Sequence, residues 1–225
     1  VARAVQAITV SNFQRKHCPA ELQAKITTVR NGFDWPDIRM QSKAFDAGQK
    51  FELPDGPRVV LVADMVEWKQ HAMFLEAAAG QPFTALVVGG ARDDEGQRYE
   101  EQLWQQAPDN VRFLGFQPNP YPIIREADVL VSVADGEPFG RTALEAFGLG
   151  TPVVIAGGGG PEETMINQAG AAIVEAQPEA IANAIIQTLA EPPEMTAAMA
   201  YAETFSLTRH AGEISTILAS HRTCK

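Results

Sequence analysis

Cysteine is scarce in this sequence. Only Cys18 and Cys224 occur among 225 residues. Two cysteines this far apart are too few and too widely spaced for a disulfide framework or a zinc knuckle. So low a cysteine content fits a reducing, cytoplasmic setting best. No apolar run approaches the roughly 20 residues that a transmembrane helix needs. Residues 1–4 lack the layout of a signal peptide, and we expect a chain that is entered within a fold.

Positive charge is also in short supply. Lys and Arg total 18 against 28 Asp and Glu, for a formal net charge of −10 at pH 7. This balance argues against a non-specific nucleic-acid-binding protein, which would carry a basic face. It leaves room for a local basic pocket, but it offers no basic amphipathic surface for docking on a membrane.

Several motifs of catalysis and nucleotide binding are missing. The sequence has no G-x-S-x-G nucleophile elbow, no Walker A loop and no G-x-G-x-x-G dinucleotide fingerprint. Its histidines do not have the spacing of metal ligands; they are His17, His71, His210 and His221. We therefore expect no metal centre.

Strand-like and helix-like segments alternate from residue 57 onward. Most strand-like segments are continuous apolar runs, which indicates strands buried on both faces of a parallel sheet. Strands are predicted at residues 58–63, 84–88, 111–114, 128–133, 152–156 and 171–174. Helices are predicted at residues 69–79, 96–106, 121–126, 141–149, 161–167 and 178–189, with two more around Ser206. The predicted class is α/β, with a doubly wound parallel sheet.

The first 56 residues follow a different pattern. A short strand at 7–11 leads to a helix-like segment that Ser11 is suited to cap, and a β-rich run at 26–29 follows. Residues 33–56 are polar and rich in Pro and Gly, so we interpret them as a linker rather than a core element. We predict that residues 1–56 are the remnant of a preceding domain, with a linker and a returning strand. Residues 57–225 would form the main domain with C-terminal helices.

The most informative stretch is residues 135–148. An apolar strand leads into a Gly/Pro turn that carries Glu137, and a helix follows with Glu145 one to two turns inside it. Ligands of parallel α/β sheets bind outside the carboxyl ends of the strands, and free amides at a helix start bind anions. Such amides and two carboxylates suit a ligand with phosphates and sugar hydroxyls. The alternative is that both are surface carboxylates, although Glu145 lies on a face that should be buried and would then need a partner.

Other loops at the same edge leave two interpretations open. Gly89-Gly90 is either a strand-ending turn or a point where a ligand meets exposed backbone. Residues 157–160 are four glycines, either a flexible turn or a place where a phosphate approaches bare amides. Lys69 opens a predicted helix and is either solvated or a ligand of a diphosphate.

Six segments together carry a family resemblance. Glu137-Pro138-Phe139-Gly140 and Glu145, followed by the run at 150–154, resemble the E-x7-E region of GT-B glycosyltransferases of family 4, also called group 1. The other five segments occur in the order of that family: residues 8–11, 29–34, 59–69, 111–115 and 128–132. Each match is short, but all six are in register over nearly the whole chain.

The resemblance implies one half of a GT-B fold, in which two Rossmann-like domains enclose the active site. This chain resembles the C-terminal, donor-binding half, and the N-terminal half that makes most acceptor contacts would be missing. The implied activity is a retaining, hexosyltransferase-type transfer of sugar from a nucleoside-diphosphate sugar to an acceptor, and we expect none from this half alone. No cofactor or metal is implied, and any peripheral membrane association would involve the other half.

The resemblance also implies roles for individual residues. Glu137 and Lys69 would be catalytic, because Glu137 would hold hydroxyls of the donor sugar and Lys69 would neutralise the leaving diphosphate. The implied donor-binding residues are Glu145 at the ribose, the amides of Phe139 and Gly140 at the sugar and diphosphate, Gly89, Gly90, Gly115 and Phe116 at the base, and Arg141.

One position departs from the family pattern. The family has an Arg five residues before its Lys, whereas this chain has Asp64, and an acid repels a diphosphate. Either Arg141 or Arg92 substitutes, or donor affinity is reduced, or activity is lost. The last case defines an alternative function, a non-catalytic binding or assembly module of GT-B fold with a degraded donor site; an epimerase of GT-B shape is a third possibility. The neighbouring Trp68 either packs or stacks on the donor.

Overall fold

The structure is a computed structural model that describes residues 6–43 and 52–222. It begins with a small two-stranded parallel sheet. Its strands are β1 (Ala7–Thr9) and β2 (Ile26–Thr28), connected through α1 (Asn12–Lys16) and α2 (Ala20–Gln23). Ser11 is extended, and its hydroxyl accepts a hydrogen bond from the Gln14 amide at 3.0 Å. The predicted helix cap is therefore confirmed.

A six-stranded parallel sheet forms the centre of the main body. Its strands are β3 (Arg58–Val62), β4 (Thr84–Val88), β5 (Val111–Gly115), β6 (Val129–Ser132), β7 (Val153–Ile155) and β8 (Ala171–Ile173). The order across the sheet is β5-β4-β3-β6-β7-β8, and all neighbours run parallel. The chain winds outward from β3 in one direction and from β6 in the other. The predicted doubly wound α/β sheet is confirmed.

Helices cover both faces of this sheet. They are α3 (Trp35–Gln41), α4 (His71–Ala78), α5 (Asp94–Gln106), α6 (Tyr121–Glu126), α7 (Arg141–Leu149), α8 (Gly160–Met165), α9 (Pro178–Ala190) and α10 (Thr196–Glu203). The last helix, α11 (Leu207–Arg222), contributes none of its described side chains to either core of the sheet. Val60 and Leu130 point into a core shared with α3, α6, α7 and α10. Val59 and Val129 point into the opposite core, shared with α4, α5 and α9. This alternation follows the two-residue period of β-strands and explains why the strands read as continuous apolar runs.

The interpretation of residues 33–43 as part of a linker is wrong. Asp34 caps α3 by accepting from the Asp37 amide at 3.2 Å, and Phe33, Trp35 and Ile38 are buried in the main core. Gly148 of α7 lies directly on the Trp35 ring, since a Cβ at Gly148 would be 2.1 Å from its Cζ3 atom. Of the rest of the expected linker, residues 44–51 lie outside the described residues, and residues 52–56 form neither a helix nor a strand. The division at residue 56 stays a prediction.

The C-terminal helices hold the turn that follows β2. Phe33 donates its amide to the Phe205 carbonyl at 2.9 Å and accepts from the Leu207 amide at 3.0 Å. The ring of His210 contacts the Arg30 carbonyl at 2.9 Å. The two helices predicted around Ser206 are present as α10 and α11, and they join the first 33 residues to the main body.

Candidate active site

Glu137 and Lys69 meet at the carboxyl edge of the sheet. Glu137 lies in the loop after β6 and Lys69 in the loop after β3, and these two strands are neighbours. The Lys69 ammonium forms an ion pair with the Glu137 carboxylate, and the two side chains are only 18% and 17% exposed. A pair this sheltered is screened less than a surface pair. The structure therefore brings together the two residues predicted to be catalytic.

Lys69 ends a turn of 3-10 helix rather than opening an α-helix, so that part of the prediction is wrong. The turn spans Glu67–Lys69, and Gln70, with φ 57° and ψ 38°, separates it from α4. The left-handed backbone at Gln70 breaks the helical path. The Lys69 Nζ atom lies 4.0 Å from the centre of the Trp68 ring, and the Trp68 carbonyl accepts from the Asp135 amide at 2.8 Å. Trp68 thus supports Lys69, a role that neither interpretation of this residue included.

Glu145 is a buried carboxylate on α7. Its side chain is 7% exposed, and its Oε1 atom lies 3.2 Å from the Arg141 guanidinium one turn earlier. Burial raises the pKa of Glu145, and the positive charge of Arg141 offsets part of that increase. The Arg141 guanidinium also lies 4.7 Å from the Phe33 ring centre. The expectation that a buried Glu145 needs a partner is met by Arg141.

The turn before α7 presents backbone amides. The Phe139 side chain is buried beside Phe33 and Phe205, while Gly140 adopts φ 82° against Pro161. Within the described residues, the amides of Phe139 and Gly140 donate no hydrogen bond, and the same holds for the first amides of α7. They are the unpaired donors expected at a helix start, and they lie on the segment that carries Glu137.

The four-glycine segment at 157–160 packs against this turn. A Cβ at Gly159 would be 2.5 Å from the Glu137 carbonyl oxygen, and one at Gly160 would be 2.2 Å from the Pro138 oxygen. The Gly160 amide donates to the Glu137 carbonyl at 2.7 Å. Close contact between two backbones therefore requires glycine here, a reason that neither proposed interpretation of the segment included.

The loops after β4 and β5 come together beside β3. A Cβ at Gly89, where φ is 145°, would be 1.7 Å from the Ala63 oxygen, and the Gly89 amide donates to Gly115 at 2.9 Å. A Cβ at Gly90 would lie 3.3 Å from the Phe116 Cβ atom. Phe116 itself is 67% exposed. The four residues predicted to border a base thus form one contiguous group with an exposed aromatic ring.

Asp64, the acid at the departure from the family pattern, is paired with Arg92. Their closest N–O distance is 3.0 Å, and Arg92 is 73% exposed. Arg92 therefore neutralises Asp64 locally. Of the two substitute cations considered, Arg92 is bound to Asp64 and Arg141 is bound to Glu145.

His71 is a site neighbour that the sequence did not single out. It is fully buried, and burial lowers its pKa from 6.5 to about 4, with a smaller contribution from the Lys69 charge. Its ring lies 5.9 Å from that of Tyr99. No local sequence pattern distinguishes a buried histidine from an exposed one at the start of a helix.

The comparison with known families decides the identity of the chain. The family model described as "Glycosyl transferases group 1" matches residues 43–204. The chain belongs to the group 1 glycosyltransferases. The resemblance inferred from the six segments is confirmed at that level.

Curated relatives of this group 1 chain are longer than it is. The lipopolysaccharide core biosynthesis glycosyltransferase LpsE of Rhizobium meliloti is 30% identical over 144 residues, which cover 63% of this chain and 42% of LpsE. Glycogen synthase of Mycobacterium tuberculosis is 27% identical over 180 residues, covering 75% of this chain and 41% of the relative. The chain thus spans about two-fifths of the length of these relatives.

Solved structures show the same fold as this group 1 chain. Anabaena HepE in complex with UDP and glucose superposes with a TM-score of 0.79 at 25% identity, over 96% of this chain and 63% of HepE. A glycosyltransferase from Rickettsia africae gives a TM-score of 0.81 at 21% identity, over 98% and 64% of the two chains, and supports the fold alone. The predicted GT-B-type α/β architecture is confirmed.

The part of the group 1 chain that the structure describes has neither a metal-binding cluster nor a membrane-spanning helix. No group of three or more His, Cys, Asp or Glu side chains there is arranged to hold a metal ion. None of the helices in residues 6–43 and 52–222 combines the length and apolar character of a membrane span. The expectation that no metal is required stays a prediction.

Proposed function

We propose that the chain is the donor-binding domain of a retaining glycosyltransferase that uses a nucleoside-diphosphate sugar. The observation that carries the proposal is the Lys69–Glu137 ion pair beside the unpaired amides at the start of α7. A cation and amides suit a diphosphate, and a carboxylate suits sugar hydroxyls. The binding of UDP and glucose by Anabaena HepE, at 25% identity, adds support.

The proposed mechanism depends on charge that develops on the leaving diphosphate. The fixed amides of Phe139 and Gly140, together with Lys69 once the bound donor has separated it from Glu137, stabilise this charge. Donors that are already aimed at the developing charge are often the largest single contribution to catalysis. Glu137 accepts hydrogen bonds from the donor sugar. Lys69 and Glu137 pair with each other in this structure. When the donor binds, the diphosphate replaces Glu137 as the partner of the Lys69 ammonium, and the Glu137 carboxylate binds the sugar hydroxyls instead.

The proposed nucleoside contacts use the remaining residues. Glu145 accepts hydrogen bonds from the ribose hydroxyls, and Arg141 pairs with its buried carboxylate and favours the charged form. Arg141 also adds positive charge beside the diphosphate. Gly89, Gly90, Gly115 and the exposed Phe116 border the base. Transfer with retention requires a second, acceptor-binding domain, so we propose that this domain alone binds donor without transferring sugar, in the cytoplasm and with no metal or cofactor.

Calorimetric titration of the chain with UDP, GDP and ADP, and with their sugars, tests donor binding. We expect at least one nucleotide to bind more tightly than about 1 mM, which corresponds to ~4 kcal/mol. Lys69→Ala should weaken that binding about tenfold or more, because a charge-assisted contact contributes roughly 1.5–3 kcal/mol. Lys25→Ala, at an exposed lysine, is the matched control and should bind as the wild type does. Absence of binding to every nucleotide at millimolar concentration would refute the proposal.

A second candidate function is a non-catalytic binding or assembly module, and Asp64 favours it. The Arg92 contact reduces the repulsion that Asp64 exerts on a diphosphate, but the pair supplies no net positive charge where the family has one. Sugar transfer or donor hydrolysis by a protein that joins this chain to its acceptor domain distinguishes the candidates. Activity that is lost on Glu137→Ala supports the enzyme, whereas inactivity with all common donors supports the module.

A further inference from the structure

A cavity of about 520 Å³ lies between α1 and α8. Its walls are drawn from both helices and the glycine segment, and include Asn12, Phe13, Lys16, Gly159, Glu162 and Ile166. Binding pockets for small molecules occupy roughly 300–1,000 Å³. The cavity is therefore large enough for one sugar ring and a few water molecules.

Two walls of this cavity touch the loop that carries Glu137. The Gly159 backbone lies against the Glu137 carbonyl, as its requirement for glycine shows. The Phe13 ring lies 3.7 Å, at its Cζ atom, from where a Cβ of Gly136 would be. An occupant of the cavity is thus separated by only one loop from the carboxylate proposed to hold the donor sugar.

The lining has the chemistry of a carbohydrate site. Phe13 offers an aromatic surface on which the C–H face of a sugar packs, and Ile166, 52% exposed, extends that apolar surface. Lys16 and Glu162 supply a donor and an acceptor for hydroxyls, and in residues 6–43 and 52–222 neither forms an ion pair. Their charges cancel, and the other charged residue of the lining, Glu163, is paired with Arg30. The cavity therefore favours a neutral, hydroxyl-rich group over an anion.

Glu163 holds the two walls together. Its carboxylate accepts from the backbone amides of Asn12 at 3.2 Å and Phe13 at 2.8 Å, and it pairs with Arg30 at 3.3 Å. Burial by itself raises the pKa of Glu163, but these two amides and Arg30 outweigh it and lower the pKa. The cavity is therefore formed before a ligand arrives, which reduces the entropy lost on binding.

We propose that this cavity is an acceptor subsite that binds a neutral sugar residue next to the donor. The inference rests on the proposed function, and it assigns acceptor contacts to residues of this chain. In the reaction, an acceptor hydroxyl oxygen forms a bond to the anomeric carbon as the bond from that carbon to the diphosphate breaks. The electron pair of the broken bond leaves with the diphosphate, which also receives the hydroxyl proton.

Saturation-transfer NMR on the whole chain tests the subsite. The probes are the methyl glycosides of glucose, galactose and mannose, in the presence of enough UDP to saturate the donor site. We expect transfer to at least one probe, a reduction of at least fivefold on Phe13→Ala and a smaller reduction on Glu162→Gln. Trp104→Ala removes another exposed aromatic ring, 56% exposed on α5, and should leave the signal unchanged.

The outcomes separate this inference from the proposed function. Loss of UDP binding in the wild-type chain contradicts the proposed function. Normal UDP binding without transfer to any of the three glycosides overturns the subsite alone. A signal unchanged by both Phe13→Ala and Glu162→Gln also overturns it. Glu162→Gln replaces a half-buried side chain by one of the same shape and does not depend on how well Phe13→Ala folds.

Discussion

Removing Arg141 should destabilise the protein in a way that depends on pH. Arg141→Ala leaves the Glu145 carboxylate, 7% exposed, without its partner at 3.2 Å. Breaking a fully buried pair costs about 3–5 kcal/mol, and an exposed pair contributes about 0–1 kcal/mol. Since Arg141 is 53% exposed, we expect an intermediate cost of about 1–2 kcal/mol at pH 7.

The sign of the pH dependence follows from the pKa of Glu145. Burial raises this pKa above that of the unfolded chain, so the native state binds the proton more tightly and loses stability as pH rises from the unfolded pKa through the folded one. Without Arg141 the folded pKa rises further. The cost of Arg141→Ala should therefore be largest at neutral pH and shrink as pH falls through the pKa of the unfolded chain, about 4.3, below which Glu145 becomes protonated in both states.

Urea unfolding at pH 4.5, 5.5 and 7 measures the effect. Arg209→Ala is the matched control, because Arg209 also pairs with a glutamate one turn away, Glu213 at 3.1 Å, and also lies on an aromatic ring, Phe205. The Glu213 carboxylate is 38% exposed, so this variant should cost less than about 1 kcal/mol. An equal cost of Arg141→Ala at all three pH values, or none at pH 7, would refute the reasoning.

Three further predictions concern stability. Gly89→Ala should cost about 2–4 kcal/mol of unfolding free energy, because its Cβ would overlap the Ala63 oxygen at 1.7 Å and overpacking has costs of this order. The control Gly212→Ala, in α11 with open space around it, should stabilise the protein by about 0.5–1 kcal/mol. Equal effects of the two substitutions would contradict this prediction. Trp35→Ala should cost about 3–5 kcal/mol in urea unfolding, whereas a cost under about 0.5 kcal/mol would fit a surface residue instead. Burial lowers the pKa of His71 to about 4, so the protein should lose stability as pH falls below about 6.5, by roughly 3 kcal/mol at pH 4. His71→Leu should flatten that part of the pH profile of thermal unfolding. An unchanged profile would count against this prediction.

The order of strands and helices from residue 57 onward was predictable from the sequence. The strands are short apolar runs, and the intervening segments are long enough for crossover helices, so a parallel sheet with both faces covered is the consistent arrangement. The boundary at Lys69 was not predictable, because Gln70 is not a residue that marks a left-handed turn.

The region at 33–43 shows a different limit. Its composition is polar, but Phe33, Trp35 and Ile38 are buried. Trp35 is buried because Gly148, more than a hundred residues later, leaves room for its ring. Burial created by a distant partner leaves no trace in local composition or periodicity.

The candidate site shows the same division. The E-x7-E spacing and the position of Lys69 identified the residues of interest, and the structure brings Lys69 to Glu137. The pairings Arg92–Asp64 and Arg141–Glu145 define the electrostatics of the site. The sequence indicated Arg92 and Arg141 as substitute cations but not the carboxylate that each one binds.

The sequence by itself determined the fold class, the family and the kinds of residue at the edge of the sheet. These follow from local patterns: apolar runs, turn residues and short motifs in register. Tertiary structure alone decided which charges meet, why residues 157–160 are glycines, and where a cavity opens between α1 and α8. The residues that decide these features are far apart in the chain, such as Lys69 and Glu137, 68 positions apart, and Phe13 and Glu163, 150 positions apart. Contacts over such distances depend on how the whole chain packs, and no local pattern encodes them.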